Sequence, residues 1–257
     1  MNRQTVQSAI GSQLGELREQ LAHMTAAVQL LERTASGGRE RTYLGILNHS
    51  ICKAQWLMRR MDLAYLLTEE DEVRSFPQLT DLSMWFQREG EHLQSVLAGG
   101  GYTLSVHTTP GLMANVDVEQ LEFLLLAMVE EGGQHSRTLS LSLEQAREGY
   151  VRLTMRTQGA DVLPRGAGGV FEPNEAFSSW NIPMALRIVQ LHGGSMVEEQ
   201  SRQGTYTLVA TLPQRIQMPT GTLASPERVW HSGGFDHALV GLSQILPTAC
   251  YGGEDLE

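Results

Sequence analysis

The first 70 residues carry apolar side chains at alternating spacings of three and four, in two blocks separated by Gly37-Gly38. The first block contains Ile10, Leu14, Leu17, Leu21, Met24, Val28 and Leu31, and the second contains Leu44, Leu47, Ile51, Ala54, Met58, Met61 and Tyr65. This heptad spacing predicts two amphipathic helices joined as an antiparallel hairpin. Because one hairpin cannot bury two full seams, we expect a homodimer that forms a four-helix bundle. The alternative is a hairpin packed on the second domain of its own chain.

From residue 78 to residue 213 the pattern becomes a mixture of helical and alternating segments. The predicted helices cover 81–98, 117–131 and 183–192, and the predicted strands cover 102–109, 137–145, 150–158, 195–200 and 204–213. This order predicts an α+β fold: the hairpin of residues 1–70, then an α/β sandwich at 78–213 with an antiparallel-rich sheet covered by helices on one face.

A C-terminal extension follows at 214–257. Its segment FDHALVGLSQILP predicts a short amphipathic helix that Asp236 caps and Pro247 ends. The apolar stripe of this helix comprises Leu239, Leu242, Ile245 and Leu246. A helix of this length is marginal alone in water, so we expect it to dock on the back of the chain's own sheet. The alternatives are the surface that a nucleotide would shape, or the partner subunit.

Composition narrows the classes of function. The 257 residues are 41% hydrophobic and carry a formal net charge of −10, which indicates a globular protein that has no nucleic-acid partner. Two cysteines, Cys52 and Cys250, are too few for a disulfide framework, and no apolar run approaches the length of a membrane span. We therefore expect a soluble, cytoplasmic protein.

Three stretches resemble the sensor histidine kinases. VFEP followed by ALRIVQLHGGSMVEEQSRQGTYTLVATLP resembles the end of their ATP-binding domain, where FEPF precedes a glycine motif, L-H-G-G and G-T-x-F. VDVEQLEFLLLAMVEEG resembles the helix with the two asparagines of the nucleotide site, and GELREQLAHMTAAVQLL resembles the phosphoacceptor motif H-E-L-R-T-P-L. The resemblance spans about residues 10 to 213. It implies a dimerisation and phosphoacceptor hairpin, a Bergerat-type (GHKL) α/β sandwich, and ATP with Mg²⁺ as cofactors.

The positions that carry the family's chemistry are altered. Gly15 stands where the resemblance places the phosphorylated histidine, and glycine has no nucleophile. The resemblance assigns the nucleotide site to Ala127, Glu131, Thr157, Gly159, Asp161, Ser179 and Asn181, of which Gly159 alone keeps the family residue. Ala127 offers Mg²⁺ no oxygen, and the charge of Glu131 repels phosphates. We therefore expect that ATP and Mg²⁺ binding is lost and that no metal site remains.

These departures favour a pseudo-histidine kinase, a dimeric scaffold or regulator for a response-regulator receiver domain or a genuine histidine kinase. One alternative is a histidine phosphotransfer protein. With Leu44 at heptad position a, both His49 and Trp56 fall at position f and are expected to point outward, which makes His49 a candidate phosphoacceptor. The other alternative is a sensor histidine kinase that still binds ATP.

Overall fold

The computed structural model describes residues 3–34, 37–68, 76–147, 149–158, 181–201, 204–214 and 234–252. The chain divides into two compact units, one of Met1–Arg74 with His231–Glu257 and one of Ser75–Trp230. No helix within the described ranges combines the length and the hydropathy needed to cross a bilayer.

The first unit begins with the predicted hairpin, in which α1 (Arg3–Glu32) contacts α2 (Gly38–Thr68). Its heptad positions divide into two layers. The buried layer lies at position a and includes Leu14, Val28, Leu44 and Ile51. The other layer lies at position d, and its side chains are 44–54% exposed: Leu17, Met24, Leu31, Leu47 and Met61. The hairpin thus covers one layer by itself and leaves the second facing outward.

The second unit has a mixed helix and strand order. Its elements are β1 (Gln78–Asp81), α3 (Leu82–Gly99), β2 (Thr103–Thr108), β3 (Met113–Val116), α4 (Val118–His135), β4 (Thr138–Arg147), β5 (Tyr150–Thr157), α5 (Asn181–Leu191), β6 (Ser195–Gln200) and β7 (Tyr206–Pro213). The main sheet has the order β2-β4-β5-β7-β6, in which β2 and β4 are parallel and the other neighbours antiparallel. The α/β sandwich is confirmed. The two-stranded sheet of β1 and β3 was not predicted.

Helix caps and the alternation of buried and exposed strand residues explain why these segments form helices and strands. Asp81 and Asp117 cap α3 and α4 by accepting backbone N–H bonds from Met84 and Gln120. Alternate residues of the three central strands are buried beneath the helices: Leu139, Leu141, Leu143, Val151, Leu153, Met155, Leu208, Ala210 and Leu212. Helix α4 is buried almost all round, which accounts for its continuous apolar run.

The His192-Gly193-Gly194 turn after α5 has a structural role. The His192 ring donates from Nδ1 to the Ile188 carbonyl at 2.9 Å and accepts at Nε2 from the Asp117 N–H at 3.1 Å. Gly193 has φ of 76°, a left-handed conformation that favours glycine. At Gly194, an added Cβ would lie 2.1 Å from the carbonyl oxygen of Thr211. The turn therefore requires both glycines.

The Gly194→Ala substitution should lower the melting temperature by about 6–12 °C. The clash with the Thr211 backbone should cost about 3 kcal/mol, and a domain of this size loses about 2–4 °C per kcal/mol. Gly99→Ala is the matched control, because no atom outside its own helix lies within 4 Å of that Cβ position. Thermal unfolding followed by circular dichroism measures both variants, and equal melting temperatures would contradict the close approach.

The C-terminal extension completes the first unit. Residues 234–252, called the strap below, contain α6 (His237–Gly241) and a 3₁₀ helix (Thr248–Tyr251). The Asp236 carboxylate accepts from the N–H groups of Ala238 and Leu239, as predicted for its cap. Within the predicted stripe, Leu239, Leu242 and Leu246 are buried and Ile245 is half-buried. The helix is nevertheless shorter than expected, because turns replace it after Gly241.

The strap packs on α2 of its own chain. Docking on the back of the sheet, the expected arrangement, is therefore wrong. The reason lies in the residues of α2 that face the strap. Gly45 lets the strap backbone approach closely, and Cys52 adds a small apolar side chain. An added Cβ at Gly45 would lie 3.4 Å from the Thr248 carbonyl oxygen, so the strap backbone lies against the bare helix.

Candidate functional site

Four of the nucleotide-site positions assigned by the resemblance are described: Ala127 and Glu131 on α4, Thr157 at the end of β5 and Asn181 at the start of α5. Ala127, Glu131 and His135 follow one another at four-residue spacing on α4 and share a face. Ala127 is 1% exposed and has no side-chain oxygen. Glu131 Oε1 lies 3.7 Å from His135 Nε2. The helix thus presents a methyl group, a carboxylate and an imidazole.

On the side of the site formed by β5 and β7, a tyrosine side chain lies beside the assigned position Thr157. Thr157 ends β5 and Tyr206 begins β7, and the Tyr206 N–H donates to Thr157 Oγ1 at 2.8 Å. The Tyr206 ring stacks on the His135 ring, with centroids 4.0 Å apart and planes inclined by 18°. The Tyr206 hydroxyl donates to Glu198 Oε1 at 2.9 Å. Tyr206 is 2% exposed, so its side chain fills the space beside Thr157.

The electrostatics of this cluster are negative. Burial raises the pKa of the Tyr206 hydroxyl, and the charges of Glu131 and Glu198 and the hydrogen bond to Glu198 raise it further. The phenol is therefore neutral at physiological pH and keeps its donor for Glu198. Two carboxylates on either side of a neutral tyrosine oppose the approach of a phosphate chain.

Within the part of the chain that the structure describes, two polar groups of the site have buried atoms without a hydrogen-bond partner. Asn181, the first residue of α5, is fully buried, and neither its Oδ1 nor its Nδ2 forms a hydrogen bond. Glu131 Oε2 is likewise buried and unbonded. Leaving such groups unsatisfied costs about 1–3 kcal/mol each. The predicted positions Gly159, Asp161 and Ser179 lie outside the described residues.

Among the described positions of the assigned set, Glu131 is the single carboxylate that could contact a cation. The resemblance did not single out His135, Glu198 or Tyr206. His135 could have been found from its i, i+4 spacing to Glu131 only if the helix predicted for 117–131 had been extended by one turn, as the structure shows it. Tyr206 occupies the variable position of the family's G-T-x-F motif, which offers no such signal.

On the hairpin, Gly15 is exposed on α1, and no atom beyond its own helix lies within 4 Å of where its Cβ would be. The position is therefore accessible but has no reactive group. Close by in sequence, Arg18 forms an ion pair with Asp62 that joins α1 to α2.

The outward orientation predicted for His49 is wrong. Its ring is half-buried beneath the strap: Nε2 lies 2.7 Å from the Ser243 carbonyl oxygen, and Nδ1 lies 3.0 Å from Thr248 Oγ1. Tyr251 stacks on the ring at 4.5 Å between centroids. The outward orientation predicted for Trp56 is also wrong, because this side chain is fully buried, with the Arg60 guanidinium 5.2 Å from its ring centroid. Both side chains are covered by contacts that the heptad pattern cannot show.

No protein-family model matches the sequence, and no curated protein matches it. Among solved structures, full-length ShkA in complex with AMPPNP is similar, with a TM-score of 0.60 and 16% identity over 80% of this chain and 45% of that one. This chain thus spans less than half the length of ShkA. The histidine kinase AdeS of Acinetobacter baumannii gives a TM-score of 0.49 at 13% identity, over 66% of this chain and 85% of AdeS. The solved chain of the mycobacterial sensor histidine kinase MprB gives a TM-score of 0.43 at 17% identity, over 55% of this chain and 100% of that chain. The similarity to ShkA shows that the chain has a histidine-kinase-like fold.

Proposed function

We propose that this protein is a pseudo-histidine kinase of two-component signalling, which has lost ATP turnover and acts through its surface. Its partners would be a response-regulator receiver domain or a genuine histidine kinase. The observation that carries the proposal is the Tyr206 side chain, which lies beside the assigned position Thr157, stacks on His135 and is bonded to Glu198.

The residue chemistry supports the loss of catalysis at three separate steps. Gly15 offers no atom to accept a phosphoryl group, and Ala127 offers no ligand to Mg²⁺. Glu131 adds a half-buried carboxylate where the resemblance places the second asparagine of the nucleotide site. A single substitution would leave a slow enzyme, whereas these affect the acceptor, the metal and the nucleotide together.

A homodimer is part of the proposal. The position-d layer of the hairpin is about half exposed along its described length, although its side chains are as apolar as those of the buried layer. Exposed apolar stripes of this length are typical of interfaces. A second hairpin would cover the layer and complete a four-helix bundle.

The geometry does not favour the phosphotransfer alternative while the strap is docked. A phosphoryl group attaches to a ring nitrogen that has a free lone pair. In His49 one nitrogen carries the proton donated to Ser243, and the other accepts from Thr248. The other alternative, a kinase that still binds ATP, is tested by titrating the full chain with nucleotide, as described next.

Titration calorimetry with millimolar ATP and Mg²⁺ should show no heat of binding to the full chain. The reason is the combination of Ala127, Glu131 and the stacked Tyr206 at the assigned site. Tyr206→Ala combined with Glu131→Gln is the comparison variant, since it removes the ring and one charge. Micromolar affinity in the wild type would contradict the pseudokinase and support the kinase alternative.

A further inference from the structure

Three side-chain atoms at the assigned nucleotide-site positions are buried and form no hydrogen bond with any described residue: Glu131 Oε2, Asn181 Oδ1 and Asn181 Nδ2. The Asn181 side chain is fully buried, and Glu131 is half-buried. Native proteins pair nearly all of their buried polar groups, with a ligand, an ion or water where protein partners are lacking. The three atoms therefore point to a ligand if the two side chains lie together.

Asn181 lies on the face of α5 that packs against α4. Counted from Asn181, the buried residues of α5 fall at positions i+3, i+4, i+7 and i+8: Met184, Ala185, Ile188 and Val189. Residues at these spacings share one side of a helix. Helix α4 is the main neighbour of α5. The unpaired amide is thus on the α4 side of its helix and not on the solvent side.

The direction of α5 places Asn181 beside the middle of α4. His192, which follows α5, accepts from the N–H of Asp117, which precedes α4. The two packed helices therefore run in opposite directions from this contact. Helix α5 is about 16 Å long at about 1.5 Å per residue, and the same length along α4 ends near Met128. Asn181 is thus level with the turn of α4 that precedes Glu131.

Strand β6 leads to the same end of the second unit. The turn after α5 reverses the chain, and β6 runs back beside α5 for about 17 Å. Its last residue pairs with Tyr206. The Tyr206 ring stacks on His135, and Glu131 Oε1 lies 3.7 Å from Nε2 of that imidazole. Both routes thus bring Asn181 and Glu131 to one end of the second unit, beside Tyr206.

We propose that this end of the second unit binds a small primary amine through Glu131 and Asn181, which together form the amine site. The ammonium group donates to Glu131 Oε2 and to Asn181 Oδ1. Asn181 Nδ2 donates to an oxygen next to the amine, as in an amino alcohol or an amino-acid amide. Each of the three atoms then has a partner. The inference rests on the proposed function, because an intact kinase would use the same end for ATP.

The chemistry of the site favours an ammonium group over other ligands. The charges of Glu131 and Glu198 both act on the Tyr206 hydroxyl, so an anion would meet two carboxylates. Hard metal ions need about six oxygen ligands, whereas Asn181 Nδ2 is a donor. A guanidinium pairs best with both oxygens of a carboxylate, but Glu131 Oε1 already faces His135. One ammonium matches the one open oxygen.

Ethanolamine is the probe, because it carries an ammonium group and an adjacent hydroxyl. Titration of the full chain at neutral pH should shift the ¹H–¹⁵N signals of the Asn181 side-chain amide until they saturate. A ligand of this size is limited to a dissociation constant of about 1 mM. Tetramethylammonium has the same charge but no N–H group, and sodium chloride matches the ionic strength. Neither should produce the saturable shift.

Two variants test the residues of the amine site. Glu131→Gln keeps the size of the side chain but removes its charge, and Asn181→Ala removes both amide atoms. Each should raise the dissociation constant of ethanolamine, measured by calorimetry, about 10- to 100-fold. Glu199→Gln is the matched control, because it neutralises an exposed carboxylate on β6 and should bind as the wild type does. Thermal unfolding shows that each variant is folded.

Shifts that sodium chloride or tetramethylammonium reproduces would overturn the amine site without any variant. Equal affinity of the wild type and the folded Glu131→Gln and Asn181→Ala variants would also overturn it. Both results leave the proposed loss of ATP binding in place, because a separate titration with ATP and Mg²⁺ measures it. ATP binding that ethanolamine does not affect would refute the proposed function, and the amine site with it.

Discussion

Replacing both Leu17 and Met24 with glutamate is expected to convert the proposed dimer to a monomer. Both side chains belong to the half-exposed position-d layer, which the proposed second hairpin would cover. A buried, unpaired carboxylate costs about 3 kcal/mol or more, and each substitution enters a symmetric interface twice. A single substitution should therefore raise the dissociation constant by about 10⁴-fold, and the pair should abolish the dimer at micromolar concentration.

The matched control is Ala22→Glu with Ala26→Glu, which adds the same charge to exposed positions of the same helix. Light scattering coupled to size exclusion gives the mass, and circular dichroism shows whether α1 and α2 remain helical. The control pair should remain dimeric. A wild type that is monomeric at tens of micromolar would refute the proposed assembly, and a dimer that persists in the glutamate pair would place the interface elsewhere.

Deleting residues 235–257 is expected to lower the melting temperature by about 10 °C or more and to expose Cys52. The deletion removes seven buried apolar side chains: Phe235, Ala238, Leu239, Val240, Leu242, Leu246 and Tyr251. Loss of even one such leucine costs about 2–5 kcal/mol, and each kcal/mol corresponds to about 2–4 °C in a domain of this size. Asn48 and His49 also lose their strap partners.

Truncation after Gly252 is the control, because it keeps all of the strap. Thermal unfolding and the rate of Cys52 labelling in a Cys250→Ser background are the two measurements. The shorter chain should still be dimeric, since the position-d layer is untouched. If the deletion leaves both the melting temperature and the thiol reactivity unchanged, the strap does not stabilise the hairpin.

The elements with strong local signals were predicted correctly. The heptad seams predicted α1 and α2, and the continuous apolar run predicted α4. The alternation of apolar and polar residues predicted the hairpin of β4 and β5. The Asp236 cap was also correct, since a cap depends on its immediate neighbours. Strands β1 and β3 were missed because four residues are too few for a periodicity.

Features that depend on distant residues could not be predicted. His49 and Trp56 were placed outward because a heptad diagram shows only the partners that repeat with the heptad. The contacts of His49 come from Ser243 and Thr248, 194 and 199 residues further along the chain. The stacking of His135 on Tyr206 likewise joins a helix end to a strand that begins 71 positions later. In both cases the sequence shows which side chain is present, but it does not show which distant residue that side chain contacts.

The distance along the chain between Asn48 and the Tyr251 carbonyl, 203 residues, bears on how the protein is made. At a synthesis rate of about 5–20 residues per second, the strap leaves the ribosome about 10–40 s after α2. Throughout that interval the residues of α2 that the strap will cover, including Gly45 and Cys52, remain uncovered. The second unit, which is encoded between α2 and the strap, has time to fold in the same interval. The hairpin is thus completed only after the strap has been synthesised, so its early form is the stage most exposed to chaperones and to aggregation.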